Sequence, residues 1–214
     1  MYLPPAFRNE DVGAQHDVMR AHPLATVVTA GPGGLMANPI PCLIYPEGDL
    51  GTLRLHLARA NPQLAELQLV EEALVVFHGP QGYITPAWYA TKGETGKVVP
   101  TWNYLAVHVW GKPAVTEDAA WLRRQVSDLT NFQEHGRLEP WAVSDAPDDY
   151  VAAQLKGITG VEIPIARMEG KWKLSQNRSA EDRRSVIQGL RAEEGHDSHM
   201  GELVEQAAKR QTAR

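Results

Sequence analysis

Leu53-Arg54-Leu55-His56-Leu57-Ala58-Arg59-Ala60-Asn61-Pro62 reads as a strand that hands over to a helix. Apolar and polar residues alternate through Leu57, the period-two signature of a half-buried strand. Asn61 suits a helix N-cap and Pro62 the first helical position. The join delivers His56 and Arg59 where the chain changes from strand to helix. A cation beside the free amides of a first helical turn is an anion grip, because the helix dipole adds to its charge. The same residues also make a plain strand-turn-helix join with a solvated arginine.

Upstream, residues 24–30 are a β-branched run that reads as a buried strand. Gly31-Pro32-Gly33-Gly34 turns the chain into a second strand at 40–45. Pro46-Glu47-Gly48-Asp49 turns it again into 52–57. Short strands punctuated by Gly/Pro turns form a meander. Before them, residues 9–21 read as an amphipathic helix with Val12, His16 and Met19 on one face.

Downstream, a helix from Asn61 turns Leu64, Leu67 and Val70 inward. Strands are expected at 73–77 and 83–85, with a polar loop at 91–97. A long strand at 102–110 sends Trp102, Tyr104, Ala106, His108 and Trp110 to one face. Asn103, Leu105, Val107 and Val109 take the other. Thr116 is the expected cap of a helix carrying Trp121, Leu122, Val126 and Leu129. A short helix follows at 147–155. Residues 161–168 and 171–175 read as a closing hairpin around Glu169-Gly170. The tail from Ser179 is helical and charged, with Met200, Leu203, Val204 and Ala207 at helical spacing.

These elements predict an α+β fold: an antiparallel, closed or half-closed β-barrel with peripheral helices and a helical C-terminal tail. The links between strands are mostly too short for parallel βαβ units. Residues 1–178 are expected to form the barrel domain and 179–214 a helical extension.

The 214 residues carry 21 basic and 26 acidic side chains, a net charge of −5. That balance argues against nucleic acid as the main partner, since such binding leans on phosphate neutralisation. No apolar run approaches the roughly 18 residues of a spanning helix. Met1-Tyr2-Leu3-Pro4-Pro5 lacks the basic and apolar regions of a secretory signal. A single cysteine, Cys42, between Pro41 and Leu43, reads as a small core hydrophobe. A cytoplasmic protein is expected, with no membrane partner.

Gly93-Glu94-Thr95-Gly96-Lys97 lacks the spacing and the following Ser or Thr of a phosphate loop. The histidines show no ligand spacing; His196 and His199 have no companion ligand, so no metal is expected. Two other segments carry donors. Pro100-Thr101-Trp102-Asn103-Tyr104 sets an indole, an amide and a phenol within three residues, suited to a planar ring with a polar edge or to an ordinary core. Lys171-Trp172-Lys173-Leu174-Ser175-Gln176-Asn177-Arg178 alternates Trp172 and Leu174 against Lys171, Lys173 and Ser175. It could hold a phosphate or a carbonyl-rich ring, or simply be a polar exit from the last strand. Together with Arg59, these strand ends offer what flavin mononucleotide (FMN) needs: cations for phosphate, donors for the ring edge and a flat wall.

At these residues the chain resembles the PaiB-type FMN-binding negative transcriptional regulators, within the split-barrel flavin-binding superfamily. The matching pieces include MYLPPAF at 1–7, HPLATVVT at 22–29, HLARANPQ at 56–63, ALVVFHGPQGYITPAWYATK at 73–92, VVPTWNYLAVHVWG at 98–111 and GKWKLSQNR at 170–178. Pro39 stands where histidine is common in the family. The resemblance implies a split β-barrel, a homodimer and FMN near the subunit interface. It places His56, Ala58, Arg59 and Asn61 on the phosphate side. It gives Thr101, Trp102, Asn103, Lys173, Gln176 and Asn177 to the flavin side. It implies no catalytic residue, and a regulator acting on DNA or through a regulatory partner. A small FMN-dependent oxidoreductase, of flavin-reductase or haem-degrading type, is the alternative, since a flavin fold does not fix a function.

Overall fold

The computed structural model describes residues 1–192 and 198–212. Its strands are β1 (Arg8–Asn9), β2 (Leu24–Gly31), β3 (Gly34–Tyr45), β4 (Thr52–Ala58), β5 (Ala73–Ile84), β6 (Thr101–Gly111), β7 (Ala114–Thr116), β8 (Ile158–Pro164) and β9 (Arg167–Lys173). Its helices are α1 (Val12–Ala21), α2 (Gln63–Leu67), α3 (Lys92–Thr95), α4 (Ala119–Glu134), α5 (Asp148–Leu155), α6 (Ala180–Ala192) and α7 (Ser198–Thr212). Two compact units divide the chain: Met19–Phe77 with His108–Met168, and Met1–Val18 with His78–Val107 and Glu169–Arg214.

In the first unit the strands run in the order β5-β2-β3-β4-β8-β7. β2 and β3 form a hairpin in which Gly31 faces Gly34. Gly34 has φ +102°, the left-handed region that a side chain resists. β4 pairs with β3 through Cys42 and Leu55, and with β8 through His56 and Gly160. One face of β4 is core: Leu53, Leu55 and Leu57 are buried with Val161 and Ile163 of β8. Val27, Val75 and Phe77 extend that core. Leu122, Val143, Val151 and Leu155 pack together beside it, with Trp121 and Ile158 against them.

Gln63 clamps the β2–β3 hairpin. Its amide is fully buried and donates to the Val27 carbonyl at 2.9 Å, while its oxygen accepts from Asn38 at 2.9 Å. Glu66, one turn on, accepts from the Thr29 hydroxyl at 2.5 Å. A Cβ at Gly31 would stand 2.8 Å from the Glu66 carboxyl carbon.

The other face of β4 and β8 is covered by α4. A Cβ at Gly160 would lie 2.2 Å from Trp121 Cζ3. The bare glycine therefore lets the indole rest on the sheet. Gln125 and Asp128 continue the same helical stripe. Gln125 reaches His56, and Asp128 accepts from the Tyr45 hydroxyl at 2.6 Å.

In the second unit the order is β1-β9-β6-β5. Arg8 faces Lys171 and Asn9 faces Gly170. α6 and α7 pack through Val186, Leu190, Met200 and Val204, all 0–1% exposed. The spacing of Met200, Leu203, Val204 and Ala207 thus describes a docked helix.

Several expectations are corrected. Residues 73–84 are one strand, although Gly79, Pro80 and Gly82 look like a turn. A Cβ at Gly79 would lie 2.9 Å from Leu105 Cβ, so this glycine marks close approach within a sheet. β3 is likewise longer, from Gly34. No β8–β9 hairpin forms, because β8 already has both edges filled by β4 and β7. Asp118 caps α4, accepting from Trp121 N at 2.6 Å; Thr116 ends β7, and its hydroxyl accepts from Asp118 N. α1 buries Gln15, Val18 and Met19, while Val12 is exposed. The loop at 91–97 contains the short helix α3. Cys42 is buried as expected, and burial pushes its thiol pKa up.

Gly160→Val should overpack the sheet against Trp121. We expect a loss of about 1–3 kcal/mol and a melting temperature lowered by roughly 2–4 °C per kcal/mol. Thermal unfolding followed by circular dichroism checks this; an unchanged midpoint would contradict the Trp121 contact.

Candidate functional site

The sequence-predicted donors fall into two clusters, one in each unit. The first is built on β4. His56 is half-buried on the face that α4 covers. Gln125, 1% exposed, places its amide oxygen 2.6 Å from His56 Nδ1. An amide oxygen only accepts, so Nδ1 carries the hydrogen that faces Gln125. Gln125 Nε2 is buried without a hydrogen-bond partner, a donor in want of an acceptor. Gln125 carries no sequence signal of its own, since it lies 69 residues from His56.

Ala58 is exposed at the end of β4, and its carbonyl accepts from Asn61 N at 2.8 Å. Asn61 Oδ1 accepts from Gln63 N at 3.0 Å, so its side chain starts α2. That helix has only five residues, and its dipole adds little. The guanidinium of Arg59 carries the charge instead. Arg59 Nε donates to the Lys156 carbonyl at 3.1 Å and Nη1 to Glu117 at 2.8 Å. Both partners of this ion pair are about half exposed, at 47% and 60%. Such pairs are worth roughly 0–1 kcal/mol, so the Arg59–Glu117 contact costs little to give up.

The second cluster joins the start of β6 to the end of β9. Lys173 Nζ donates to Thr101 Oγ1 at 2.5 Å and to the Trp102 carbonyl. Asn103 is 1% exposed, and its Nδ2 donates to Ser175 Oγ at 3.0 Å. Ser175 has φ +62°, a left-handed turn that ends the strand geometry and aims its hydroxyl at Asn103. Trp102 is 52% exposed, with Tyr83 edge-on at 5.9 Å. Asn177 is exposed. Gln176 spends its amide on β9 itself, accepting from Leu174 N and donating to the Trp172 carbonyl.

This cluster is rich in cations. Lys171 is 8% exposed, with its ammonium donating to the Tyr2 carbonyl and lying 5.4 Å from the Tyr104 ring. Arg178 lies over the Tyr89 ring at 4.5 Å. Burial lowers the Lys173 pKa, and the charges of Lys171 and Arg178 lower it further. An anion here would relieve that strain. An exposed indole beside an ammonium, a hydroxyl and amides is the donor set that a ring with a carbonyl edge requires. The residues present therefore fit a flavin.

Among the described residues no group of three or more His, Cys, Asp or Glu could hold a metal ion. His196 lies outside the described residues; His199 sits 3.4 Å from Glu202.

Gln125→Leu should release the His56 ring. Nitrogen chemical shifts of His56 in the unliganded protein report its tautomer. We expect the wild type to show a single Nδ1–H form and the variant a mixture; identical shifts would contradict the lock.

A family model described as "Putative FMN-binding domain" matches residues 1–167. An uncharacterized protein of Aspergillus fumigatus is 43% identical over 89% of this chain and 90% of its own. The "Protease synthase and sporulation protein PAI 2" of Bacillus subtilis is 32% identical over 99% of this chain and 100% of its own. Among solved structures, the FAD and heme binding protein of Mycobacterium smegmatis superposes with a TM-score of 0.56 at 18% identity, covering 78% of this chain and 73% of that one. That likeness carries the fold, an α+β split barrel. On the match over residues 1–167 and the full-length likeness to the Bacillus protein, this chain belongs to the PaiB-type FMN-binding family, with FMN as its cofactor.

Proposed function

We propose that the chain is a cytoplasmic, homodimeric flavoprotein that acts as a negative regulator of transcription. In this reading residues 1–178 are the FMN-binding barrel domain and the chain from residue 179 is its extension, with α6 and α7 as its described helices. The full-length likeness to a sporulation protein supports the regulatory role. The net charge of −5 favours regulation through a partner or a sensed small molecule over a DNA contact of the whole surface. No described helix is long and apolar enough to cross a membrane.

In this reading Arg59 takes the phosphate, with His56, Ala58 and Asn61 beside it. Thr101, Trp102, Asn103 and Lys173 face the flavin ring, with Gln176 and Asn177 at its margin. Bound FMN supplies one- and two-electron redox chemistry. The observation that carries the assignment is the Lys173 ammonium, packed among cations beside an exposed indole. The dimer is supported by exposed apolar surface at Tyr83, Val99 and Trp102, which a partner would cover.

Calorimetry with FMN and riboflavin separates the two roles. A partly desolvated arginine–phosphate contact is worth roughly 1.5–3 kcal/mol. Arg59→Ala should weaken FMN by about ten- to a hundredfold and leave riboflavin nearly unchanged, whereas Lys173→Met should weaken both. Equal losses of both ligands in Arg59→Ala would overturn the phosphate assignment.

Lys173 also sets a pH dependence. Its pKa is lowered in the free protein by burial and by the neighbouring cations, and in this reading the ring's carbonyl edge accepts from the ammonium, so bound FMN favours the charged form. FMN affinity should fall as pH rises through that lowered pKa, and Lys173→Met should flatten the dependence. A titration unchanged by the substitution would contradict this. Sedimentation tests the dimer: a particle near the chain mass of 23.6 kDa at micromolar concentration would overturn it.

A further inference from the structure

A cleft lies in the second unit against the Trp172 and Leu174 face of β9. Its volume is about 750 Å³, inside the roughly 300–1,000 Å³ range of small-molecule sites. Alternation along β9 turns Trp172 and Leu174 away from Lys171 and Lys173. Trp172 and Leu174 line the cleft, with Leu203 and Ala207 of α7 and Pro5 and Ala6 of the N-terminal segment. Leu174 is 2% exposed, so this wall is built into the core. Gln176 stiffens it through its two bonds to the β9 backbone.

The charges at the rim are not equivalent. Asp11 is committed to starting α1, its Oδ1 accepting from Ala14 N at 3.1 Å. Glu10 stands 3.5 Å from Arg8. The cleft carries two cations, Arg8 and Arg210, and two carboxylates, Glu10 and Asp11, and Arg210 is the cation without a carboxylate partner among the described residues, on the α7 side that also bears Leu203 and Ala207. Guanidinium groups bind carboxylates with bidentate geometry, and the indole face suits a flat apolar body.

We propose that this cleft binds a small apolar monocarboxylate, aromatic in body, held by Arg210 and stacked towards Trp172. Gln176 lines this cleft as well as standing at the margin of the proposed flavin site, but the Arg210, Leu203 and Trp172 contacts are separate from the flavin donors, and occupancy does not depend on the FMN reading. It gives the C-terminal helix a binding role: α7 supplies Leu203, Ala207 and Arg210, all beyond the residues that the family model matches.

Calorimetry of the full chain with 2-naphthoate, with and without saturating FMN, tests this. 2-Naphthamide, of the same shape without the charge, is the control. We expect naphthoate to bind with Kd at or below about 100 μM, a modest affinity for a partly open site. Arg210→Ala should weaken it about tenfold, and the amide should bind the wild type about as weakly as the acid binds that variant. Leu203→Glu, which puts a like charge on the wall, should abolish binding. FMN affinity should be unchanged in both variants. No naphthoate binding by the folded wild type would overturn the proposal, including where a second copy of the chain fills the cleft. Equal affinity of acid and amide, unaltered binding in both variants, or competition between naphthoate and FMN would each overturn it too.

Discussion

The indole of Trp121 rests on Gly160, and the missing side chain there decides where α4 lies. The rest of that face follows from the helical repeat. Gln125, four residues on, meets His56, and Asp128, three further, meets the Tyr45 hydroxyl. Arg54 completes the layer, with its guanidinium 4.3 Å above the Tyr45 ring and its Nε donating to Glu162 at 2.7 Å. A sheet face bearing arginine, histidine and tyrosine is costly to cover unless each polar group finds a partner. The stripe on α4 supplies those partners. The donor left without one is Gln125 Nε2, beside the residue that the family resemblance places in the cofactor site.

The other cluster illustrates a different constraint. Lys173 is held by a hydroxyl and a carbonyl, and its charged neighbours, Lys171 and Arg178, are cations. Asp182, the nearby buried carboxylate, is occupied by the backbone and hydroxyl of Thr91. Concentrated positive charge of this kind costs stability in the empty protein and becomes favourable when an anionic or carbonyl-rich ligand arrives. Binding sites commonly keep such unspent interactions. The two clusters thus offer complementary chemistry: an exposed, weakly paired guanidinium, and a crowded ammonium beside an aromatic face.

Much of this was legible in the sequence where the signal is local. The alternation of β4 and β6, the turn at residues 31–34 and the spacing of Met200, Leu203, Val204 and Ala207 all report burial patterns set by a period of two or 3.6. What was not legible depends on distant partners. Gly79 resembles a turn residue, yet it sits in a continuous strand because Leu105 crowds it. Residues 161–175 resemble a hairpin, yet β8 and β9 part because each already has two neighbours. Thr116 is a plausible cap, but Asp118 takes the role. In the candidate site, Arg59, Lys173 and Asn103 could be named as donors by residue type. Gln125 could not, because it is recruited through the packing of α4, and the bond between Ser175 and Asn103 was hidden because it depends on a left-handed turn.

The central claim is that this chain carries FMN. Its most direct test is to incubate the purified protein with excess FMN, separate free flavin by gel filtration and record the visible spectrum of the protein peak. Flavin absorbance travelling with the protein at one FMN per chain is the predicted result. A protein peak without flavin absorbance, from folded protein at the same concentration, would contradict it.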